Sequence, residues 1–223
     1  DWLESHDLRE QTLIIFTSDN GMNMGHHGIW GKGNGTFPQN MYDTSVKVPF
    51  IAAHPGHTPA GAVAAGLLSH YDLLPTLLDY VGLKAAIPKG LPGHSFAPLL
   101  RGRAAPARDH VVVFDEYGPV RMIRTTRWKY IHRYPYGPHE LYNLAADPDE
   151  RDNLIDEDSV GAMVAELRCD LEAWFCQFAD LARDGARQPV TGKGQLERVG
   201  PEGEGRAAFA NDWHYIDAHG NPR

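Results

Sequence analysis

The sequence predicts an α/β protein: part of a mixed sheet sandwiched by helices, followed by a subdomain in which a small antiparallel sheet packs on a long helix. Three observations predict it. A β-branched run, Leu13–Phe16, is too short for a helix and ends abruptly at Thr17–Ser18–Asp19–Asn20–Gly21, which reads as a buried strand delivering polar side chains at its carboxyl end. Open α/β sheets place ligands at that end. Helical periodicity is strong in 68–81 and again in 159–181. Between them the period changes to short β-rich runs split by Gly, Pro and Asp.

Taken in order, Asp1–Gln11 reads as the last turns of a helix with Trp2 and Leu3 on one side. It is polar and amphipathic, unlike a signal sequence, and the chain reads as beginning in mid-domain. After the strand, Gly21–Met41 is glycine-rich and too irregular for a regular element; loops of that length are usually functional or disordered. Val46–Ala53 reads as a second strand, with Pro49 marking an edge or a bulge. In 68–81, Ser69 is the expected N-cap, Leu73, Leu74, Leu77, Leu78 and Val81 form an apolar stripe, and Gly82 is a stop signal. A Pro-, Gly- and Ala-rich connector runs to Arg108. His110–Glu116, Val120–Thr126, Trp128–Arg133 and Glu140–Asn143 are the expected meander, and Ser159–Leu181 is the long helix, with Val160, Met163, Val164, Leu167, Leu171, Trp174, Phe175 and Phe178 on its buried face. The expected division is 1–108 as part of a catalytic core, 109–183 as the sheet-plus-helix subdomain, and 184–223 as an extended tail whose Phe209–Ile216 stretch regains aromatics. A strand such as Leu13–Phe16 wants neighbours on both sides. The first third therefore reads as half of a sheet whose other half lies elsewhere.

The 223 residues carry a formal charge of −8 and are 42% hydrophobic, enough for a packed core. That charge argues against a general nucleic-acid or anionic-membrane surface. No stretch approaches the roughly 18 consecutive apolar residues of a membrane span. Cys169 and Cys176 are two helical turns apart, which sets their Cα atoms at about 10 Å, beyond the ~7 Å that a disulfide bridges. Both read as free thiols.

The chemistry gathers early. Asp19 and Asn20 offer a carboxylate and an amide oxygen at a strand end, a hard-ligand pair suited to Ca2+ or Mg2+; Asp-Asn-Gly is also a common turn. Lys32 on the glycine loop could give a point charge to a sulfuryl or phosphoryl oxygen or could be a solvated lysine. Of the neighbours His26 and His27, at most one faces a site, where it could protonate a leaving oxygen or bond an anion; a backbone-bonded loop histidine is the simpler role, preferred for His26. Lys47, Arg121, Arg124 and Arg127 read as solvated strand charges. No nucleophile is evident.

These residues resemble the type I sulfatases of the alkaline phosphatase superfamily. TSDNG (17–21) is similar to that family's second metal motif, and GHHGIWGK (25–32) to its G-E-H-G-L-W-G-K, with His26 replacing the usual Glu. MYDTSVKVPFI (41–51), YDLLPTLLDYV (71–81), GHSFAPLLRG (93–102), WKYI (128–131) and ELYNLAADPDERDNL (140–154) follow in family order. The resemblance implies an alkaline-phosphatase-like mixed sheet, Asp19 and Asn20 as Ca2+ ligands, Lys32 at the sulfate, and His27 beside the same pocket. It implies a sulfated small molecule or glycan as substrate, and a periplasmic, secreted or lysosome-like compartment. The family's nucleophile, a formylglycine made from Cys or Ser in C/S-x-P-x-R, is missing, as is the N-terminal aspartate pair of the metal site. Expected, then, is the C-terminal part of a sulfuric ester hydrolase, inactive alone and partnered by the missing N-terminal half. The alternatives are a phosphodiesterase or phosphonate monoester hydrolase of the same superfamily, where histidine is common at the Asn20 position, and a non-catalytic scaffold domain.

Overall fold

The computed structural model describes residues 2–36, 38–115, 119–180, 184 and 186. In chain order the elements are α1 (Trp2–Ser5), β1 (Ile14–Phe16), β2 (Asn23–Met24), β3 (Trp30–Gly31), α2 (Asp43–Val46), β4 (Ile51–Ala53), α3 (Leu73–Tyr80), α4 (Ala97–Leu100), β5 (His110–Phe114), β6 (Val120–Thr125), β7 (Trp128–Arg133), β8 (Glu140–Asn143) and α5 (Gly161–Phe178). They form two compact units: residues 1–19 with 49–111, and residues 20–48 with 112 onward. The glycine loop, expected with the catalytic core, thus packs with the later unit. Apart from Asp184 and Ala186, the expected tail, Phe209–Ile216 included, lies outside the described residues.

In the first unit β1 pairs antiparallel with β4, Ile14 opposite Ala53 and Phe16 opposite Ile51. The strand expected to be buried is not: Phe16 is 62% and Ile51 59% exposed. These cross-strand partners share a face, and two strands cannot cover their own faces. The second strand is also shorter than expected. Pro49 has no N–H to give a ladder, and Asp43–Val46 closes a helical turn in place of extended chain.

Ser69 caps as expected. Its hydroxyl accepts from Tyr71 N, and Asp72 returns the favour to the Ser69 N–H at 2.8 Å, a capping box in front of α3. Asp72, 1% exposed, also accepts from His94 N at 2.8 Å and pairs with Arg108, while Thr76 Oγ1 accepts from Phe96 N at 2.9 Å. Gly93 permits this contact, because a Cβ there would lie 1.7 Å from the Tyr71 carbonyl oxygen. These polar anchors shift the expected face of α3, leaving Leu73, Leu77 and Leu78 half-buried. Pro75 and Thr76 are buried, whereas Leu74 and Val81, in the predicted stripe, are exposed.

The second unit is built on a four-stranded sheet in the order β5-β6-β7-β8, with β6–β7 and β7–β8 antiparallel. Strand alternation sends successive side chains to opposite faces. Ile123, Tyr130 and Leu141 meet Leu167, Leu171 and Phe175 of α5, three residues spaced by one helical turn. Met122, Ile131 and Tyr142 on the other face enclose Met41, with Tyr42 and Val46 against them. The sheet is therefore covered on one side by the long helix and on the other by α2 and its approach. Cys169 and Cys176 are free and exposed. Among the described residues no helix is long and apolar enough to cross a membrane.

Two strand charges are not solvated as expected. Arg121 is 2% exposed, stacks its guanidinium 3.6 Å from the Phe175 ring centre, and pairs with Asp184; its alternation position puts it beneath α5. Arg124 is taken up below. Lys47 and Arg127 are exposed as the sequence suggests.

The same face carries stacked imidazoles, His132 and His139, 4.2 Å apart and 14° from parallel, with Tyr130 Oη 2.7 Å from His132 Nδ1. Burial pushes His132 down to about 3, helped by the positive side chains around it, and also lowers His139. A histidine neutral in the fold but free to protonate when unfolded stabilises fully above about pH 6.5, and that contribution falls as pH drops toward the folded value. The unfolding free energy from urea titration should therefore decline from pH 7 to pH 5, by up to about 2 kcal/mol for His132. His132→Gln, which keeps an acceptor but does not titrate, should flatten that slope; an unchanged slope would contradict the assignment.

Candidate functional site

The site loop is shaped by a buried polar network that the sequence reading missed. Asn23 and Asn40, 0% and 3% exposed, face each other across Ser45. Asn23 Nδ2 donates to Ser45 Oγ at 2.6 Å, Ser45 Oγ donates to Asn40 Oδ1 at 2.6 Å, and Thr44 Oγ1 donates to Asn23 Oδ1 at 2.5 Å. Asn40 Nδ2 reaches the carbonyls of Lys32 at 3.2 Å and Gly33 at 3.1 Å. Each buried polar atom so satisfied fixes the backbone it touches. Small polar residues in a glycine-rich loop look like turn formers in sequence; only the fold shows that they are interior.

Asp19 is exposed, follows β1, and accepts from Ser18 Oγ at 3.3 Å. It closes the first unit and half-buried Asn20 opens the second. Gly21 then locks onto α2. Its N–H donates to the Ser45 carbonyl at 2.8 Å, and a Cβ would stand 2.1 Å from the Thr44 oxygen. Both Asp19 and Asn20 present hard oxygens, a chemistry that fits Ca2+. Among the described residues no three His, Cys, Asp or Glu side chains gather for a metal.

His27 and Lys32 are anchored separately. His27 has φ 54°, left-handed for a non-glycine, between Gly25 and Gly28 that are also positive. Its ring lies flat on Tyr42, centroids 3.7 Å apart and 5° from parallel. Burial first, then the charges of His26 and Arg151, hold it below the ordinary imidazole value, only partly offset by Asp149 and Glu140. It is a neutral hydrogen-bonding group near pH 7, and a poorer proton donor to a leaving oxygen than a charged imidazolium. His26 takes the backbone role preferred for it, its Nδ1 3.4 Å from Met24 N. Lys32 is exposed, and no carboxylate among the described residues pairs with its ammonium. Its carbonyl is held by Gly35 N at 2.9 Å and by Asn40.

Beneath α2 lies a buried ion cluster. Lys129, 0% exposed, touches Asp43 Oδ1 and Glu150 Oε1, each at 2.5 Å, and donates to the Met41 carbonyl at 3.0 Å. Arg124 grips both Asp43 oxygens at 3.1 Å, and Glu150 Oε2 accepts from Asp43 N at 2.6 Å. Burial alone would raise the Asp43 carboxyl, but Lys129 and Arg124 outweigh it and hold it below the carboxylate range. Burial wins at Glu150, which is pushed up. Arg124 is thus a bidentate anchor, not the solvated charge expected. The signal available in sequence was Lys129 at the centre of WKYI, in a strand whose neighbours are apolar.

Comparison with known proteins places this arrangement. The family model described as N-sulphoglucosamine sulphohydrolase, C-terminal, matches residues 25–177. The chain belongs to that sulfatase family. A curated relative, the Delta 4,5-hexuronate-2-O-sulfatase of Bacteroides thetaiotaomicron, is 33% identical over 188 residues, which is 80% of this chain and 37% of the relative. A solved structure in complex with its substrate D-glucosamine-2-N,6-O-disulfate has a TM-score of 0.71 at 27% identity, covering 84% of this chain and 38% of that one. The phosphonate monoester hydrolase of Agrobacterium radiobacter has a TM-score of 0.67 at 30% identity, covering 89% and 41%. The chain therefore spans well under half the length of these relatives. Its fold is that of the solved sulfatases, and the ion cluster joins three of the segments that resemble the family: Asp43 of MYDTSVKVPFI, Lys129 of WKYI and Glu150 of DPDERDNL.

Replacing Gly21 by Ala should cost about 2 kcal/mol or more, because a rigid carbonyl must move, and should lower the thermal midpoint by several degrees. Equal stability of the variant would show that Gly21 is not a contact glycine.

Proposed function

We propose that this chain supplies part of the substrate and metal site of a sulfuric ester hydrolase, and that the intact enzyme hydrolyses sulfate esters with a formylglycine nucleophile that these residues do not encode. The observation that carries the reading is Lys32, an exposed ammonium without a carboxylate partner among the described residues, on a backbone clamped by buried Asn40. A cation on an anchored backbone and without a carboxylate partner can offset charge that develops on sulfuryl oxygens. His27, kept neutral over Tyr42, would hydrogen-bond the same group. Asp19 and Asn20 would hold a Ca2+ together with donors from elsewhere; bound there, the ion would act as a Lewis acid on the ester oxygens.

Sulfated glycans are the substrate class this reading favours, since curated relatives such as the hexuronate-2-O-sulfatase act on sulfated sugars. Phosphonate monoester hydrolases share the fold as superfamily relatives, but the family match and the curated relatives favour sulfate. A scaffold role is disfavoured by the match to the sulfatase family and would be excluded by a C/S-x-P-x-R motif upstream in the gene.

In the intact enzyme, Lys32→Ala should lower kcat/KM for sulfate esters by about 100-fold or more, with aryl phosphonates turned over more slowly than aryl sulfates. Wild-type rates in the variant, or a preference for phosphonates, would overturn the proposal.

A further inference from the structure

We infer that Asp43 is a positioning residue for the proposed sulfate site, acting through the short helix α2 to hold Asn20, His27 and Lys32 against the antiparallel sheet. The inference rests on the reading of that site given above. Four observations within one compact unit carry it. The Asp43 carboxylate is fixed by Lys129 and Arg124 on strands β7 and β6, and its N–H by Glu150. The preceding residue, Tyr42, is the platform on which His27 lies flat. The next two residues, Thr44 and Ser45, meet Gly21, the neighbour of Asn20, through the Ser45 carbonyl and a contact too tight for a Cβ. Ser45 Oγ continues through Asn40 to the Lys32 carbonyl.

Four consecutive residues, 42–45, thus link His27, Gly21 and Lys32 to the sheet; Tyr42 packs on its apolar face, and Asp43 is held there by charge. No part of this requires Asp43 to touch a substrate. A site displaced by about 1 Å loses catalytic power steeply, and rigid support of that kind is what residues behind a site provide. A charge cluster suits the task better than apolar packing because it is directional. The guanidinium fork of Arg124 and the ammonium of Lys129 define the orientation of one carboxylate.

Amide hydrogen exchange by NMR on the full 223-residue chain tests this, with Asp43→Asn and Asp43→Glu beside the wild type. Asp43→Asn should speed exchange at Gly21 by about 10-fold or more and move the His27 ring protons away from their stacked shifts. The amides of Ile123, Ile131 and Leu171 should keep their protection, and Asp43→Glu should recover part of the Gly21 effect. Unchanged Gly21 exchange overturns the inference, and so does a uniform rise at Gly21 and the sheet amides, which marks a merely structural role. If Asp43→Asn does not fold, Arg124→Gln removes one cation at the cluster's edge; it must give the same local pattern at smaller amplitude, and a uniform or absent effect again overturns it. A terbium titration read by tryptophan-sensitised emission separates the two levels. Absence of terbium binding to the wild type counts against the metal reading alone and leaves the exchange result to decide the role of Asp43. Binding that is unaltered in an Asp43→Asn chain with lost Gly21 protection breaks the link from Asp43 to the metal corner.

Discussion

The second unit depends on one interaction, the buried cluster of Asp43, Lys129, Glu150 and Arg124. Such clusters do not in general stabilise more than apolar packing would, since desolvation offsets much of the attraction. Their effect is asymmetric: with the partners in place they cost little, but with one removed an uncompensated charge is left inside. The opposite shifts of Asp43 and Glu150 reflect this balance. Asp43, met by two cations, remains easily ionised; Glu150, sharing only Lys129, does not escape the penalty of burial.

The sheet makes the cluster possible by having two unlike faces. Under α5 the contacts are mainly apolar, with Leu167, Leu171 and Phe175 filling the groove above Ile123, Tyr130 and Leu141. The opposite face mixes Met122, Ile131 and Tyr142 with the two cations that reach α2. One face thus serves cohesion and the other also orientation. The glycine loop, which lacks a core of its own, takes its shape from buried asparagines and from its attachment to α2. The family's conspicuous sequence segments acquire a physical reason here: the aspartate after the tyrosine, the lysine of the WKYI strand and the glutamate of the later acidic stretch are mutual partners across more than 80 residues of chain.

Much of this was legible in the sequence where the signal is local. Turn residues and β-rich composition located the strands of the meander, helical spacing located α5 and its buried face, and Ser69 announced its N-cap. The ordered segments located the family. Signals that depend on a distant partner were not legible. Arg121 and Arg124 read as solvated because their partners, Asp184 and Asp43, are remote in sequence. Asn23 and Asn40 read as loop formers because nothing local says that they are enclosed. β1 read as buried because its composition is suited to a covered strand, yet in this chain Phe16 and Ile51 face outward. Val46 read as the start of the second strand because β-branched residues begin there, whereas hydrogen bonds to the Tyr42 and Asp43 carbonyls close a helical turn that ends on it.

Asp43 and Lys129 are energetically one device. A double-mutant cycle by urea unfolding, with Asp43→Asn, Lys129→Met and the pair combined, measures this directly. Each single change should cost about 3 kcal/mol or more, and the double variant far less than their sum, a coupling of at least about 2 kcal/mol. Additive losses, with a coupling near zero, would contradict it.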